Sequence, residues 1–555
     1  MRVHRITRAS GRALPGFVVF AVALLLVGCS GSTDDASNTR PEPTLGGEAA
    51  EVEQGPESDG ASERNGDPDG GTGGGEAAWD VSDEWRLIVV DQFGYLPDSS
   101  KVAVLVDPQA GFNADFAYTP GDELHVVDVD SGQTAFSGPP SVWRNGDVDA
   151  QAGDRGWWFD FSSVTTPGTY AVVDPANSQN SAVFDIAPDV HGPLLSVAQR
   201  VFYFNRGNVV HEVEHAGEWA SPAAVDGSDQ DSQARPVDDP NGEGIDLSGG
   251  WFDAGDTNKY VTFAVAPVHQ LLGAYEIAPE LFGDDTGIPE SNNGTADLLD
   301  EVRVELEWLL RMQADDGGVR IKVGFVGYDG STTIFDDTRP RYYEEACSSA
   351  AIAAAGMLAH GALAFEAIDP AFADRMQQAA ENAWRWYHTN PRRDDCDPQV
   401  INAGDADVSL ADQDRLEWVA AVYLDALSPN DEFERLVLDG ADLNWLFPDA
   451  VFGRYNPERA EAMEFLVSHP ATATDLTQRL RSDLTQFAST GNHGFDPEAS
   501  LYRSHLPDAQ YHWGSNMVMA NTGNANFELI RSGEVPGETS HLGERGAAHL
   551  NTLHG

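Results

Sequence analysis

The sequence predicts two folded regions, a β-sandwich of about one hundred residues followed by a larger all-α domain. Short β-type runs separated by turn residues occupy residues 84–188, and their spacing is typical of a sandwich. From Leu194 onward, apolar residues recur at the spacing of a helix. The chain has 555 residues, of which 41% are hydrophobic, so two or three domains with a sizeable core are expected.

Residues 1–29 have the composition of an export signal. Four arginines precede an apolar run from Phe17 to Val27, and Cys29 follows shortly after. The run has about eleven residues, whereas a hydrocarbon core needs roughly twenty, so a secretory signal is favoured over a transmembrane anchor. The ending at Cys29 resembles a bacterial lipobox. It predicts an exported lipoprotein of the bacterial cell surface or outer membrane, or otherwise a secreted protein.

Residues 30–83 predict a disordered acidic linker. The segment is rich in Gly, Glu, Asp, Ser and Pro and has almost no apolar residue before Trp79. Such a segment buries too little apolar surface to fold. We interpret it as a tether between the predicted lipid anchor and the folded part.

The two folded regions differ in the period of their apolar residues. Six β-type runs lie at residues 87–90, 102–106, 124–129, 157–161, 170–173 and 183–186. Beyond residue 189 the period becomes helical, with one apolar stripe formed by Leu298, Leu299, Val302, Leu306, Leu309 and Leu310. A second predicted helix, residues 346–365, is rich in small residues and therefore allows close approach of its neighbours.

Charge and cysteine content restrict the partners. The formal net charge is -57, from 90 acidic and 33 basic residues, which makes nucleic acid and anionic membrane surfaces poor partners. Neutral polymers remain acceptable, and membrane contact is expected only through a lipid on Cys29. The other two cysteines, Cys347 and Cys396, either pair in an oxidising compartment or stay free, and neither has the spacing of a zinc site.

Residues 249–261 carry the strongest functional signal. The stretch Gly-Gly-Trp-Phe-Asp-Ala-Gly-Asp-Thr-Asn-Lys-Tyr-Val places Asp253 and Asp256 on a glycine-flanked turn between Trp251 and Tyr260. Aromatic faces stack on sugar rings and a carboxylate accepts a proton from water, so the pattern favours carbohydrate chemistry. The alternative is that Asp256 caps a helix that follows it.

The same stretch resembles the main signature of glycoside hydrolase family 9, inverting cellulases whose catalytic domain is an (α/α)6 barrel of six helix hairpins. Further matches follow in the expected order: Ala296-Asp297-Leu298-Leu299-Asp300-Glu301, Glu307-Trp308-Leu309-Leu310-Arg311-Met312-Gln313, Asp316-Gly317-Gly318-Val319-Arg320-Ile321-Lys322-Val323 and Tyr511-His512-Trp513-Gly514-Ser515-Asn516. The resemblance implies that residues 189–555 form the barrel.

The predicted sandwich also has a counterpart in that family. The segments Val90-Asp91-Gln92-Phe93-Gly94-Tyr95-Leu96-Pro97 and Pro167-Gly168-Thr169-Tyr170 resemble the immunoglobulin-like module that precedes the catalytic domain in many members. The resemblance therefore implies an immunoglobulin-like β-sandwich at residues 84–188 that braces the barrel. A carbohydrate-binding module is the alternative for a β-sandwich on a secreted glycosidase.

Residue roles follow from the motif positions. Asp256 matches the general base of the family, and Asp253 matches the aspartate that helps to orient the same water. Two acids three residues apart repel, so a raised pKa is expected for one of them. The candidate sugar contacts are Tyr511, His512, Trp513, Trp251 and Tyr260, with ordinary core packing as the alternative.

The general acid is expected to be missing from this chain. In the family it is a glutamate beyond a Gly-x-Asn-Pro segment, and the sequence stops at Gly555 before such a segment. The last part of the barrel is expected to be missing with it, either in a truncated copy or at a natural end. Four glutamates lie upstream and match no catalytic position: Glu528, Glu534, Glu538 and Glu544. We therefore expect weak or no hydrolysis of unactivated glucan.

No cofactor is required by this chemistry, but members of the family often bind structural calcium. The candidate ligands are Asp412 and Asp414, which precede a stretch similar to the family's Asp-Glu-Leu-x-Trp. Arg415 replaces the glutamate of that stretch, and a solvated acidic loop is the alternative.

Taken with the resemblance, the residues predict an inverting endo-β-1,4-glucanase that acts on cellulose or related β-glucans. Two alternatives remain at this point. One is an exo-acting glycosidase on cello- or chitooligosaccharides, and the other is a non-hydrolytic glycan-binding lipoprotein.

Overall fold

The computed structural model describes residues 86–327, 332–444, 456–469, 474–489, 498–504, 506, 514–531 and 539–554. The predicted signal with Cys29, the predicted linker and three of the candidate sugar contacts lie outside the described residues. These contacts are Tyr511, His512 and Trp513.

Two antiparallel sheets form the first folded region. Their strands are β1 (Ile88–Val89), β2 (Val102–Pro108), β3 (Leu124–Asp128), β4 (Thr134–Gly138), β5 (Ser141–Val142), β6 (Asp154–Asp160), β7 (Gly168–Asp174), β8 (Gln179–Asn180) and β9 (Phe184–Ile186). The first sheet has the order β1-β2-β6-β5, and the second has the order β4-β3-β7-β8 with β9 paired to β7. The six predicted runs correspond to β1, β2, β3, β6, β7 and β9.

Strand β2 is buried on both of its faces. Ala103 and Leu105 lie in the core between the two sheets, whereas Val104 and Val106 pack with Leu501 of the helical region. Successive side chains of a strand point to opposite faces. The continuous apolar run of β2 is therefore explained by a sheet that is covered on its outer face by the helical region.

Polar groups complete this contact. The backbone N–H of Leu501 donates to Asp149 Oδ2 at 2.7 Å, and Leu501 O accepts from Trp158 Nε1 at 2.7 Å. The Tyr502 hydroxyl donates to Asp154 Oδ2 at 2.7 Å. The sandwich thus fixes the segment 498–504 by both apolar and hydrogen-bonded contacts.

The second folded region is built of helices that pair with their neighbours in the chain. The helices are α1 (Gly192–Phe204), α2 (Val213–Ala216), α3 (Val265–Ile277), α4 (Asp297–Met312), α5 (Ser348–Phe365), α6 (Pro370–Thr389), α7 (Leu410–Leu427), α8 (Asp431–Asn444), α9 (Pro457–Ser468), α10 (Thr474–Ser489), α11 (Ser515–Arg531) and α12 (Thr539–His554). Helices α3, α5, α7 and α9 contact one another around the core, and the pairs α5–α6, α7–α8 and α11–α12 pack as neighbours.

Helix α5 lies at the centre of this core. Small residues such as Ala353 and Gly356 let it approach α6 and α7 closely. Among the described residues it is the one helix long and apolar enough to span a membrane, and 89% of that window is buried inside the protein. Its composition is therefore explained by packing in a core.

A small sheet lies next to the glycine-flanked turn. Its strands are β10 (Arg235–Pro236), β11 (Lys259–Tyr260), β12 (Lys322–Phe325) and β13 (Arg341–Tyr343), in the order β10-β13-β12-β11. Strand β11 directly follows the turn, so the sheet fixes the end of the turn against residues that are distant in sequence.

Candidate active site

The turn of residues 249–258 lies close to helix α4. Gly249 and Gly250 have φ values of +88° and +72°, a region that glycine enters at little cost. A Cβ on Gly250 would lie 2.6 Å from the ring of Trp308. The two glycines therefore allow an approach that a larger residue would prevent.

Asp256 does not cap a helix, because the next regular element is strand β11. The backbone N–H of Asp253 donates to Asn258 O at 3.1 Å and closes the turn. Thr257 has a φ of +56°, which is uncommon for a β-branched residue. The capping alternative is therefore wrong, and a tight, strained turn presents the two carboxylates.

A buried ion cluster is hydrogen-bonded to the backbone of the turn. Asp231 pairs with Lys259 Nζ at 2.8 Å and with Arg341 Nε at 2.7 Å, and all three side chains are fully buried. Arg341 Nη2 donates to Thr257 O at 2.8 Å, and Lys259 Nζ donates to Gly249 O at 2.7 Å. Burial raises the pKa of Asp231, but the attraction of Arg341 and Lys259 outweighs burial and leaves that pKa lowered.

Two donors orient the buried carboxylate of Asp256. The Tyr260 hydroxyl donates to Oδ2 at 2.8 Å, and the backbone N–H of Asn258 donates to Oδ1 at 3.1 Å. Burial raises the pKa of Asp256, while Tyr260, Asn258 and the charge of Arg341 oppose the rise. Asp256 is thus a carboxylate of fixed direction with a raised pKa, as a general base needs.

Asp253 lies beside Asp256 and is partly exposed. Burial and the charge of Asp256 raise the pKa of Asp253 to about 6. The repulsion expected from the sequence is therefore present and contributes to the raised pKa of Asp253.

The two aromatic residues of the turn are covered by the core. Trp251 is 8% exposed, packs on Phe202 with ring centroids 4.8 Å apart, and donates its backbone N–H to Glu305 at 2.8 Å. Tyr260 is 3% exposed and stacks on Phe263 at 4.4 Å. The near-complete burial of both rings favours the alternative of core packing for Trp251 and Tyr260, and their contact with sugar stays a prediction.

The acidic pair predicted to bind calcium is engaged by arginines. Asp412, in the first turn of α7, accepts from Arg415 and from the Ser409 hydroxyl. Asp414 pairs with Arg392 Nη1 at 2.6 Å. A cation at this place would compete with two guanidinium groups, so the structure does not support the predicted calcium site.

The cysteines are paired. Cys347 and Cys396 form a disulfide that closes a separation of 49 residues. Over the part of the chain that the structure describes, the one group of three potential metal ligands is Cys347, Cys396 and Asp407. Since both sulfurs are in the disulfide, this group has too few free ligands to hold a metal.

Sequence reasoning missed Asp231, Arg341 and Asn258. No local motif marks Asp231 and Arg341, because they reach the turn through tertiary contacts, whereas Asn258 lies inside the quoted stretch but was given no role there. One usable signal was the scarcity of lysine. The chain has three lysines, and all three are buried, including Lys259 of the ion cluster. A buried lysine needs acceptors for its ammonium group, and Asp231 supplies a carboxylate to Lys259.

Two family models match the chain. Residues 192–550 match the family model described as Glycosyl hydrolase family 9, and residues 84–178 match the model described as Cellulase N-terminal ig-like domain. The chain belongs to glycosyl hydrolase family 9. The fold is accordingly an immunoglobulin-like domain followed by the helical (α/α)6 barrel of that family.

Two enzymes are similar to this chain in sequence. The chain is 32% identical over 318 residues to a xyloglucan-specific endo-beta-1,4-glucanase of Bacteroides ovatus, a match that covers 55% of this chain and 50% of that protein. It is 30% identical over 463 residues to endoglucanase C of Cellulomonas fimi, covering 78% and 40%. The chain spans about half the length of the curated relatives it matches.

A solved structure supports the same assignment to family 9. A metagenome-derived glycoside hydrolase family 9 endoglucanase aligns with a TM-score of 0.70 at 28% identity, over 84% of this chain and 83% of that one. The two structures therefore share both folded regions.

Asp253→Asn is expected to stabilise the protein at pH 7. The pKa of Asp253 is raised to about 6 in the folded state. The folded protein therefore has its full stability at acid pH, where the carboxyl is protonated, and loses stability as the pH rises through 6 and the carboxyl ionises. One pKa unit corresponds to about 1.4 kcal/mol. Discounted for partial exposure, the free energy of unfolding should rise by about 1–2 kcal/mol at pH 7.

Urea unfolding of wild type and Asp253→Asn at pH 7 and at pH 4 measures this effect. At pH 4 the wild-type carboxyl is already protonated in the folded protein, so the two curves should nearly coincide. An equal gain at both pH values would show that the carboxylate charge is not the cause.

Proposed function

We propose that the protein hydrolyses β-1,4-glucosidic bonds of a β-glucan with inversion, with Asp256 as the general base and Asp253 as the residue that orients the attacking water. The observation that carries the proposal is the buried Asp256 carboxylate held by two donors. Asp253 lies next to it with a pKa raised to about 6. Membership of glycosyl hydrolase family 9 supports this chemistry.

In the proposed step, Asp256 removes a proton from water while the water oxygen bonds to the anomeric carbon. The bond from that carbon to the glycosidic oxygen breaks, and attack from the opposite face inverts the configuration. The leaving oxygen takes a proton from a general acid, and no residue of this chain is assigned to that role. In inverting sites the two carboxyls stand roughly 6.5–9.5 Å apart, so that the water fits between them.

The proposed substrate is a glucan with a β-1,4-linked backbone, cleaved internally. The names of the Bacteroides ovatus and Cellulomonas fimi relatives support this class. The formal charge of -57 favours a neutral polymer, because an anionic polysaccharide would be repelled.

Two substrates test the proposal. The leaving group of 2,4-dinitrophenyl β-cellobioside departs without a proton, so its hydrolysis reports the base alone, whereas cellohexaose also needs the acid. We expect release of dinitrophenol from the activated substrate. We also expect internal cleavage of cellohexaose by a form of the protein that contains the general acid. Calorimetric binding of cellohexaose without any release of dinitrophenol would contradict hydrolysis and favour a glycan-binding protein.

We also propose that the protein is exported and carries a lipid on Cys29. The Cys347–Cys396 disulfide supports an oxidising compartment. Partition into the detergent phase of Triton X-114 is expected for the wild type and is expected to be lost in Cys29→Ala. Equal partition of both proteins would contradict the anchor.

A further inference from the structure

A loop that takes no direct part in the proposed chemistry packs against Asn258 and Tyr260. We call residues 396–407 the support loop. Its Asn402 O accepts from Asn258 Nδ2 at 2.8 Å. The backbone also passes close to Tyr260, since a Cβ on Gly404 would lie 2.9 Å from the tyrosine side chain. The support loop therefore contacts two residues that follow the general base in sequence.

Hydrogen bonds continue from the support loop to the general base. Asn258 Nδ2, which donates to Asn402 O, also donates to the Tyr260 hydroxyl at 2.9 Å. The Tyr260 hydroxyl in turn donates to Asp256 Oδ2 at 2.8 Å. Asn258 and Tyr260 are both buried, so water does not readily replace a lost partner. The direction of the carboxylate thus depends on the position of the loop.

Three attachments hold the support loop itself. The Cys347–Cys396 disulfide ties its first residue to the N-terminal end of helix α5. Asp397 Oδ2 pairs with Lys322 Nζ of strand β12 at 2.5 Å. The Asp407 carboxylate accepts from the backbone N–H groups of Cys396 and Asp397 at 2.9 and 3.0 Å. Loss of the disulfide removes the covalent member of this set.

We propose that Tyr260 and Asn258 are positioning residues for the general base Asp256. The Cys347–Cys396 disulfide keeps the support loop in the place where it holds them, so its reduction weakens catalysis. This inference rests on the proposed function of Asp256.

Loss of the Tyr260 hydroxyl should shift the pH profile of kcat/KM in one definite direction. The titratable and charged groups that face Asp256 are Asp253 on the turn, Tyr260 on β11 and Arg341 on β13, and Lys322 on β12 lies over the Tyr260 ring. Burial raises the pKa of Asp256 and the Tyr260 hydroxyl opposes this rise. Without the hydroxyl the base is protonated at higher pH, so the acid limb of kcat/KM moves to higher pH.

Tyr260→Phe tests the inference, because it keeps the ring and removes the hydroxyl. On 2,4-dinitrophenyl β-cellobioside, kcat should fall about tenfold or more, with KM within about twofold. The acid limb should move up by about half a pH unit or more. The matched control is Tyr118→Phe, which removes a hydroxyl that donates to Asp174 at the same 2.8 Å within the β-sandwich.

The control variant should lower Tm and leave the pH profile unchanged. The same result for Tyr260→Phe would overturn the inference, because the hydroxyl would then act on stability alone. A purely structural role does not predict a shift of the acid limb.

Direct titration of the Asp256 carboxyl separates this inference from the proposed function. Aspartate labelled with carbon-13 at Cγ gives an NMR signal for each carboxyl, and Asp256→Asn assigns the signal of interest. A higher midpoint in Tyr260→Phe supports the positioning role whether or not turnover is detected, and an unchanged midpoint overturns it. Absence of turnover in the wild type would instead contradict the proposed function.

Reduction of the disulfide is tested with dithiothreitol and with the double variant Cys347→Ser, Cys396→Ser. We expect kcat to fall by about threefold or more on reduction, as for a small misplacement of a catalytic group. The acid limb should move in the same direction as in Tyr260→Phe. The reductant should have no effect on the double variant. A lower Tm with unchanged kcat and pH profile would overturn the part of the inference that concerns the disulfide.

Discussion

Replacement of Asp256 by asparagine is expected to lower kcat/KM for 2,4-dinitrophenyl β-cellobioside by about 10²- to 10⁴-fold. Asparagine has nearly the same size and can still accept the hydrogen bond from the Asn258 backbone N–H. Its amide, however, cannot take a proton from water. Because the base acts in the transition state, the loss should appear in kcat, while KM should change little.

Azide separates a lost base from a damaged fold in this variant. Azide is a small anion that attacks the anomeric carbon without losing a proton, so it needs no general base. It is expected to restore part of the activity of Asp256→Asn, with formation of a glycosyl azide, and to leave the wild type nearly unchanged. If azide restores nothing and Tm falls sharply, Asp256 acts in folding and the assignment of the base is wrong.

Asp231→Asn is expected to lower the free energy of unfolding by about 3–5 kcal/mol. The change leaves Lys259 and Arg341 fully buried without their shared carboxylate, at contacts that are now 2.8 and 2.7 Å. Removing one member of a buried ion cluster costs more than the cluster contributes, because an unpaired charge remains in the core. Activity should fall as well, since Arg341 holds Thr257 O in the turn.

The matched control is an ion pair on the surface. Glu307 makes two hydrogen bonds with Arg375, at 3.1 and 2.8 Å, and the side chains are 30% and 56% exposed. Glu307→Gln should cost only about 0–1 kcal/mol, because water and salt screen the pair. Guanidinium chloride unfolding of both variants compares the two. Similar losses would contradict the claim that the buried cluster supports the turn.

The fold was predictable where burial imposes a regular apolar pattern. Helix α5 was predicted to within two residues of its start, and nearly all of its residues are buried. Strands β4 and β5 were missed because their residues are mostly exposed and polar. Backbone pairing with neighbouring strands makes them strands, and such pairing leaves no apolar period in the sequence.

The site was predictable only where it is local in sequence. Asp253 and Asp256 lie on one turn with a recognisable signature, whereas Arg341 reaches that turn from a distant strand. Trp251 and Tyr260 are residue types that suit sugar contacts, but only the packing around them decides whether their faces are open. In this structure both rings are almost fully buried, and the Tyr260 hydroxyl is directed at the carboxylate of Asp256.

The configuration of the first product shows whether Asp256 acts as a general base or as a nucleophile. A base at this position activates a water that displaces the leaving group in a single step, so hydrolysis of a β-cellobioside must first give the α-anomer of cellobiose. Proton NMR recorded during the first minutes, before mutarotation, measures the two anomers. We expect the α-anomer to appear first. Early formation of the β-anomer would contradict the role of Asp256 as a base, because retention requires a covalent intermediate on a carboxylate nucleophile.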